Sequence, residues 1–444
     1  MSIYKACDIR GVYPDQLDPP LAESIGRAVG SERVGTDAVA GGSACAVAGD
    51  GRNSTPALKE AFIRGLLGAG ANVVDLGPTP TPVAYWAARH LDIGAAAIIT
   101  ASHNPPEYNG LKFMLGRTPV TPEDVQRVKR RVEERDFASG AGHRTGRDVR
   151  ATYLDWLRNL FGGSGGGRKV VVDAGNGMAS DWAPQAFRDA GYAVEELFCT
   201  VDGDFPNRSP NPSKPKALEP AGRRVREVGA QFAACFDGDA DRVVFLDENG
   251  EIVPPEEGLI LLARDVLRHR PGPVVYDQKC PDVVPEEIEK HGGTPLMERS
   301  GHAFIKRRLL EEDAVMAGEA SGHYFFRELG GDDGIYAALR MGQLLGREGS
   351  SPSELRAAIP EYFISRDIRI QRPRGDARQV VERLKEAFSD RPQDYTDGVR
   401  IRFEDGWALV RASVTEPAVT VRVEGDSPES MRRLRELVTE AIPE

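Results

Sequence analysis

The sequence predicts an α/β protein: three similar α/β domains with mixed sheets, then a smaller α+β C-terminal domain. Three observations predict it. A three-part pattern recurs three times along the chain. Short apolar strands of four to six residues alternate with helix-length segments, as in α/β layers with largely parallel pairing. The last stretch abandons that rhythm for consecutive alternating strands flanked by two helices.

Each repeat opens with a β-branched or Ala-rich strand ending in a polar loop: CAVAGDGRNST from Cys45, KVVVDAGNGMAS from Lys169 and PVVYDQKCPD from Pro273. After a helical stretch come a Gly and a second strand: GANVVDLG from Gly70, GYAVEELF from Gly191 and GGTPLMER from Gly292. A third strand then ends in a loop dense with functional groups: AAAIITASHNP from Ala95, AQFAACFDGDADR from Ala230 and AVMAGEASGH from Ala314. Binding loops collect at the carboxyl ends of such strands. The repeat therefore places TASHNP, DGDADR and GEASGH equivalently in three domains that face one centre. Three unrelated βα units of a common type are the plainer alternative.

Boundaries follow from the punctuation. The polar, Gly-rich stretch 136–148 reads as a first linker, and Gly-rich 161–169 as a helix–strand connection inside the second unit. DENGEIVPPEEG (247–258) carries an Asn-Gly hairpin turn and then prolines, closing that unit. The third ends near PEYFISRDIRI. These give domains at 1–147, 148–252, 253–364 and 365–444. The last holds strands at 399–403, 407–413 and 418–424 and helices at 377–389 and 427–442.

Composition bounds the function. With 40% apolar and 28% charged residues, the chain has the make-up of a globular protein. No apolar run approaches the roughly 20 residues of a membrane span, and MSIYKACDIRG carries no signal segment. A net charge of −11 gives no support for nucleic-acid binding. The five cysteines are scattered, and no pair has metal-ligand spacing. Reduced thiols and a cytoplasmic location are the expectation.

Asp237-Gly-Asp239-Ala-Asp241-Arg242 is the most chemically loaded stretch. Three carboxylates at alternate positions repel one another unless a cation sits among them. Oxygen-only donors suit a hard ion, Mg²⁺ or Ca²⁺. An EF-hand is rejected: Glu248 stands at position 12, but position 6 is Arg242 where Gly is needed, and strands flank the loop. Ser102 in Thr100-Ala-Ser102-His103-Asn104-Pro105 has an adjacent His103 and a place opposite the metal loop. It is a candidate nucleophile or phosphate carrier, the alternative being a turn former. Glu319-Ala-Ser321-Gly-His323 offers groups suited to sugar hydroxyls. Arg411, Ser413 and Thr415 form a candidate anion pocket. Arg10, Lys112, Lys279, His302 and Lys306 lie in or beside loops; each, taken alone, is a surface charge.

Together these strings resemble the α-D-phosphohexomutases. TASHNP is similar to that family's phosphoserine loop, DGDADR to its metal loop, GEASGH to its sugar-specificity loop and RASVTEP to its phosphate-binding loop. The order holds across essentially the whole chain. CDIRG near the N-terminus is similar to the opening of the phosphomannomutase/phosphoglucomutase branch.

The resemblance implies a heart-shaped four-domain enzyme that interconverts hexose 1-phosphate and hexose 6-phosphate, with mannose or glucose as sugar. Ser102 would carry the phosphoryl group, and Mg²⁺ would be held by Asp237, Asp239, Asp241 and a phosphoserine oxygen. A hexose 1,6-bisphosphate would be intermediate and activator. Arg10, Lys112 and Arg242 would add positive charge, with His302 or Lys112 as proton-transfer group. Glu319 and Ser321 would hold sugar hydroxyls. Arg411, Ser413 and Thr415 would grip the distal phosphate, and Lys279, His302 and His323 would line the cleft. The partner is a phosphosugar, with no nucleic acid or membrane, and the chain is expected as a monomer or weak homodimer.

The chain departs from the family at Val414, where the phosphate loop often has Asn, at Glu416, and at Cys7, where Tyr is common. Ala320 matches neither the Met of mannose/glucose enzymes nor the Gln of glucosamine enzymes. A phosphoglucosamine mutase and a non-catalytic sugar-phosphate binder are the competing expectations.

Overall fold

The computed structural model describes residues 2–33, 44–372, 376–412 and 418–442. Ser413, Val414, Thr415 and Glu416 lie outside them.

The repeat is a topological repeat. In the first sheet the strand Cys45–Gly49 pairs in parallel with both Val73–Pro78 and Ala95–Ile99, and Tyr108–Leu115 turns back antiparallel onto Ala95–Ile99. The second sheet repeats this with Lys169–Asp173, Ala193–Leu197, Phe232–Phe236 and Val243–Leu246. The third repeats it with Pro273–Asp277, Thr294–Glu298, Met316–Gly318 and Tyr324–Phe326. The sheets are thus mixed. The loops 100–107, 237–242 and 319–323 are the turns between the third strand and its antiparallel successor in each unit.

The first strands are buried along almost their whole length, and the valines at 170–172 show why they read as unbroken apolar runs. Helices on both faces remove such strands from water. One hydrophobic cluster runs through all three units, from Ala46 and Trp86 through Phe232 to Leu345. The helix Arg150–Phe161 joins the units, burying Tyr153, Leu154, Leu157 and Phe161. Tyr153 packs edge-on against Trp86 and Trp182, and Trp156 stacks on Tyr336. Three α/β units packed on one aromatic seam hold their loop-bearing ends in fixed relation.

The stretch 136–148 is not a free linker. Arg144–Gly146 adds a sixth strand, parallel to Val73–Pro78. Its glycines explain the approach: a Cβ on Gly142 would lie 2.0 Å from Ala71 O, and one on Gly140 2.7 Å from Gly70 Cα. The Gly residues read as punctuation are needed for packing.

The last unit is an antiparallel sheet. Ala418–Gly425 pairs with Gly406–Ala412, Phe363–Ile364 and Ile368–Gln371, and Val399–Phe403 pairs with Gly406–Ala412. Helices Asp376–Ala387 and Pro428–Glu440 cover it around a separate core of Val399, Ile401, Val410, Leu434 and neighbours.

Candidate active site

Two loops from different units meet at Ser102. Its side chain is fully buried, and Oγ donates to Asp237 Oδ2 at 2.7 Å and lies 3.2 Å from His103 Nδ1. The close packing is backbone on backbone: a Cβ on Gly238 would stand 2.4 Å from Ser102 O. Ser102 and Ala240, non-glycine residues one on each facing loop, adopt left-handed φ values of 51° and 66°. Such conformations persist only where the surroundings enforce them.

For Ser102 the enforcing group is Arg52, from the Asp-Gly-Arg turn after the first strand. The guanidinium is buried. Its Nη2 donates to Ser102 O (2.8 Å) and Asn104 O (2.7 Å), and Nη1 to Pro105 O (2.6 Å) and Tyr108 O (2.9 Å). Its Nε donates to Asp50, and it lies 5.1 Å from the Phe205 ring centroid of the second unit.

The three metal-loop carboxylates lie within reach of a single ion and are buried. Asp239 Oδ2 accepts from Thr81 Oγ1 (2.6 Å) and Lys112 Nζ (2.8 Å), and Asp241 Oδ2 also accepts from Lys112. Asp239 Oδ1 and Asp241 Oδ1 have no hydrogen-bond partner among the described residues. Buried carboxylate oxygens left this way are costly unless a ligand takes them, so the donor set fits a hard divalent cation. Burial pushes Asp237 well above the usual carboxylate range, reinforced by the charges of Asp241 and Asp239. Burial alone would lower the Lys112 ammonium; Asp239 and Asp241 outweigh it and hold the group above its ordinary value.

Around this centre stand Arg10, Arg242, His302 and His323. Arg10 Nε donates to Asp8, and its Nη1 donates to Asn104 Oδ1 of the serine loop (2.7 Å). Arg242 forms an isolated antiparallel bridge with His323, tying the metal loop to the sugar-loop turn. The His302 and His323 rings stack with centroids 5.8 Å apart. Burial, then Lys112, pushes His302 down to about 4, and its Nε2 has no hydrogen-bond partner among the described residues. His103 is pushed well below its usual value by burial and by the nearby cations Arg242, Arg10 and Lys112.

In the sugar loop, Glu319 N donates to His323 O and Gly322 N to Glu319 O, closing a tight turn. Ser321 Oγ is buried without a hydrogen-bond partner among the described residues. The outer cations are paired internally: Lys279 Nζ with Asp367 at 2.7 Å and Arg411 Nε with Asp397 at 3.2 Å. The structure thus gathers Ser102, His103, Arg10, Lys112, Arg242, His302, His323 and the three aspartates. Lys279 and Arg411 stand in ion pairs of their own, while Ser413 and Thr415 fall outside the described residues. Lys306 is buried, with Nζ 3.9 Å from the Tyr85 ring centroid.

Sequence reasoning missed Arg52, Thr81 and Asp332. The GDGRNST string carried Arg52 in view, but a guanidinium that binds carbonyls leaves no complementary side chain to read. The tandem Asp332-Asp333 was a visible signal that went unused.

Comparison with known proteins places the fold in a family. Four family models match in order: Phosphoglucomutase/phosphomannomutase, alpha/beta/alpha domain I over residues 1–139, domain II over 151–250, domain III over 254–363 and the C-terminal domain over 368–441. A phosphomannomutase/phosphoglucomutase of Pseudomonas aeruginosa is 38% identical over 440 residues, covering 98% of this chain and 94% of that protein. A crystal structure of a phosphoglucomutase/phosphomannomutase family protein from Burkholderia thailandensis superposes with a TM-score of 0.92 at 35% identity, covering 99% of this chain and 96% of that one. An N-acetylphosphoglucosamine mutase of Aspergillus fumigatus, solved in complex with GlcNAc-6P and magnesium, shares the fold, with a TM-score of 0.61 at 17% identity over 90% of this chain and 83% of that one. With three copies of one topology, an antiparallel fourth unit and all four family models matched in chain order, the chain belongs to the phosphoglucomutase/phosphomannomutase family of α-D-phosphohexomutases.

Proposed function

We propose that this chain performs its family's interconversion of hexose 1-phosphate and hexose 6-phosphate, on mannose and glucose, by way of a phosphorylated Ser102. The observation that carries the reading is the meeting of Ser102 Oγ with Asp237 inside a buried, cation-rich centre. Phosphoryl transfer asks for positioning and charge neutralisation more than for covalent chemistry.

Asp237, Asp239, Asp241 and an oxygen of phospho-Ser102 would hold Mg²⁺. When bound, the ion offsets charge on the transferring phosphoryl group. The Ser102 Oγ–P bond breaks as a bond forms from phosphorus to the free sugar hydroxyl oxygen, whose proton passes to a base in the cleft. His302, with Nε2 unpartnered, suits that task better than Lys112, which is held as a cation by two carboxylates. The resulting 1,6-bisphosphate reorients, and its other phosphoryl group returns to Ser102. Added bisphosphate restores an enzyme that has lost its phosphoryl group, hence its role as activator. Glu319, Ser321 and His323 contact the sugar. Lys279 and Arg411, with Ser413 and Thr415, take the distal phosphate. The P. aeruginosa relative's name supports mannose and glucose as the sugars.

The test is a coupled assay on mannose, glucose and glucosamine 1-phosphates, with Mg²⁺ and a trace of hexose 1,6-bisphosphate. Turnover of the first two well above the third is expected, and a glucosamine preference would overturn the sugar assignment. Ser102→Ala is expected to remove nearly all activity. Substantial surviving turnover would refute the phosphoserine route, and bisphosphate binding without any conversion by the wild type would mark a non-catalytic binder.

A further inference from the structure

The tandem Asp332-Asp333 sits on the short edge strand Gly331–Asp332 and the start of the helix that follows. Successive side chains of an extended segment point to opposite sides. Asp333 turns toward the protein body. Its Oδ1 accepts from Ile335 N (2.9 Å) and Tyr336 N (3.0 Å), capping the helix Gly334–Glu348, and its Oδ2 accepts from Tyr153 Oη (2.6 Å). That double anchor fixes the backbone on which Asp332 stands. Asp332 turns the other way, and its Oδ2 lies 2.8 Å from His323 Nδ1. The other ring nitrogen, His323 Nε2, lies 2.9 Å from Arg242 Nε. His323 and Asp332 are buried, and the bond to Arg242 is part-buried.

Donor chemistry decides the direction of both bonds. A guanidinium nitrogen only donates, so Nε2 of His323 carries the lone pair. Nδ1 must then bear the hydrogen, and a carboxylate is its natural acceptor. With Nε engaged by His323, Arg242 is fixed along its length. No hydrogen bond among the described residues engages its terminal Nη groups, and its charge acts on both His103 of the serine loop and Asp237 of the metal loop.

We propose that Asp332 is a positioning residue: through the Nδ1 hydrogen of His323 it sets the ring so that the Nε2 lone pair faces Arg242, and thereby aims the Arg242 guanidinium at the phosphoryl group on Ser102. The relay crosses from the third unit to the second, coupling the sugar loop to the phosphoryl-transfer centre. The kinetic part rests on the mutase reading, whereas the ring orientation does not.

Two measurements on the full chain test it. In wild-type protein labelled with ¹⁵N-histidine, the His323 signals, assigned by their loss in His323→Gln, are expected to show a hydrogen-bearing Nδ1 and a lone-pair Nε2. The reverse pattern would overturn the proposal whether or not the protein is a mutase. Asp332→Asn keeps an acceptor oxygen for Nδ1–H, and Asp332→Val removes it. The Val variant is expected to lose about 100-fold in kcat, the scale of a misplaced group in a transfer site, with KM changed less than threefold and a mixed His323 tautomer. The Asn variant is expected to stay within about fivefold of wild type and to keep the wild-type ¹⁵N pattern, which also covers the case in which Val fails to fold. An Asn variant as impaired as Val, or a folded Val variant with wild-type kcat and ¹⁵N pattern, would overturn the proposal.

Discussion

Replacing Arg52 by Lys keeps the charge and removes the fork. The wild-type guanidinium satisfies four carbonyls, three in the serine loop and that of Tyr108 just after it, from two nitrogens and pairs with Asp50 through a third. A lysine ammonium is a single point with three donors. Held by Asp50, it reaches at most two of the four carbonyls. At least two of these buried or part-buried carbonyls then lose their partner, at up to about 1–3 kcal/mol each. The loop escapes that cost by relaxing toward water, and with it goes the constraint that keeps Ser102 at positive φ. A displacement of about 1 Å at a reacting oxygen costs on the order of 100-fold in rate. Arg52→Lys is therefore expected to lower kcat by about two orders of magnitude, with Tm falling by only several degrees, since the aromatic seam and main cores are untouched. The assay is mutase turnover, together with intact-mass measurement of Ser102 phosphorylation after incubation with glucose 1,6-bisphosphate; the variant is expected to take up the phosphoryl group slowly. A folded Arg52→Lys variant within threefold of wild type in both would refute the argument that this residue sets the loop.

At the contact between the third and fourth units, Glu424 accepts from Asp282 N at 2.8 Å and from Trp407 Nε1. Burial is the main cause of its rise to about 7, and the Asp282 amide works against it. The folded chain thus holds a proton that the unfolded chain releases near pH 4.5, so stability from this group falls as pH rises from about 4.5 to 7, by about 3 kcal/mol in all. Glu424→Gln is expected to remove that slope and to be more stable than wild type at pH 8 by urea unfolding, with little gain at pH 5; an equal difference at both would contradict the sign. Asp367 occupies the Lys279 ammonium assigned to substrate phosphate. A partly exposed pair of this kind is worth up to about 1 kcal/mol, so Asp367→Asn is expected to lower KM for hexose 1-phosphate by up to about fivefold at low salt. A raised KM would mean that the carboxylate positions Lys279 rather than competing for it.

The functional loops were legible because each is a polar string between two apolar strands, repeated at the same place in three units. The repeat fixed their common position, and alternating carboxylates and an adjacent Ser-His gave them chemistry. What stayed hidden has a physical reason in each case. Arg52 binds main-chain oxygens, which every residue supplies, so nothing in the sequence marks the partner. The strand Arg144–Gly146 is short and exposed, and its side-chain tie to the neighbouring strand joins Arg144 to Asp75, 69 residues away, so the Gly140 and Gly142 that lead into it read as linker when they are there for close approach. Lys279 and Arg411 were visible as cations, but Asp367 lies 88 residues from Lys279 and Asp397 is separated from Arg411 by the strand Val399–Phe403, and only folding reveals that the charges meet. Asp332 and Asp333 look alike in sequence; strand alternation gives one to a helix cap and the other to His323.

The unpaired atoms of the cleft bear on why it is built this way. Asp239 Oδ1, Asp241 Oδ1, His302 Nε2, Ser321 Oγ and Asp332 Oδ1 are all buried without a hydrogen-bond partner among the described residues. Each is a group whose desolvation typically costs 1–3 kcal/mol when unmet. They come from two of the three repeated units and gather around the ring of His323 and the aspartate triad. The first unit contributes what the others lack: Lys112, whose ammonium bridges Asp239 and Asp241, and Arg52, which holds the loop that presents Ser102. Acceptors left open on one side and cations supplied from the other suit a ligand that arrives with both hydroxyls and phosphate. A phosphosugar carries both, and a bisphosphate carries the second phosphate that lets the same set of groups serve either orientation.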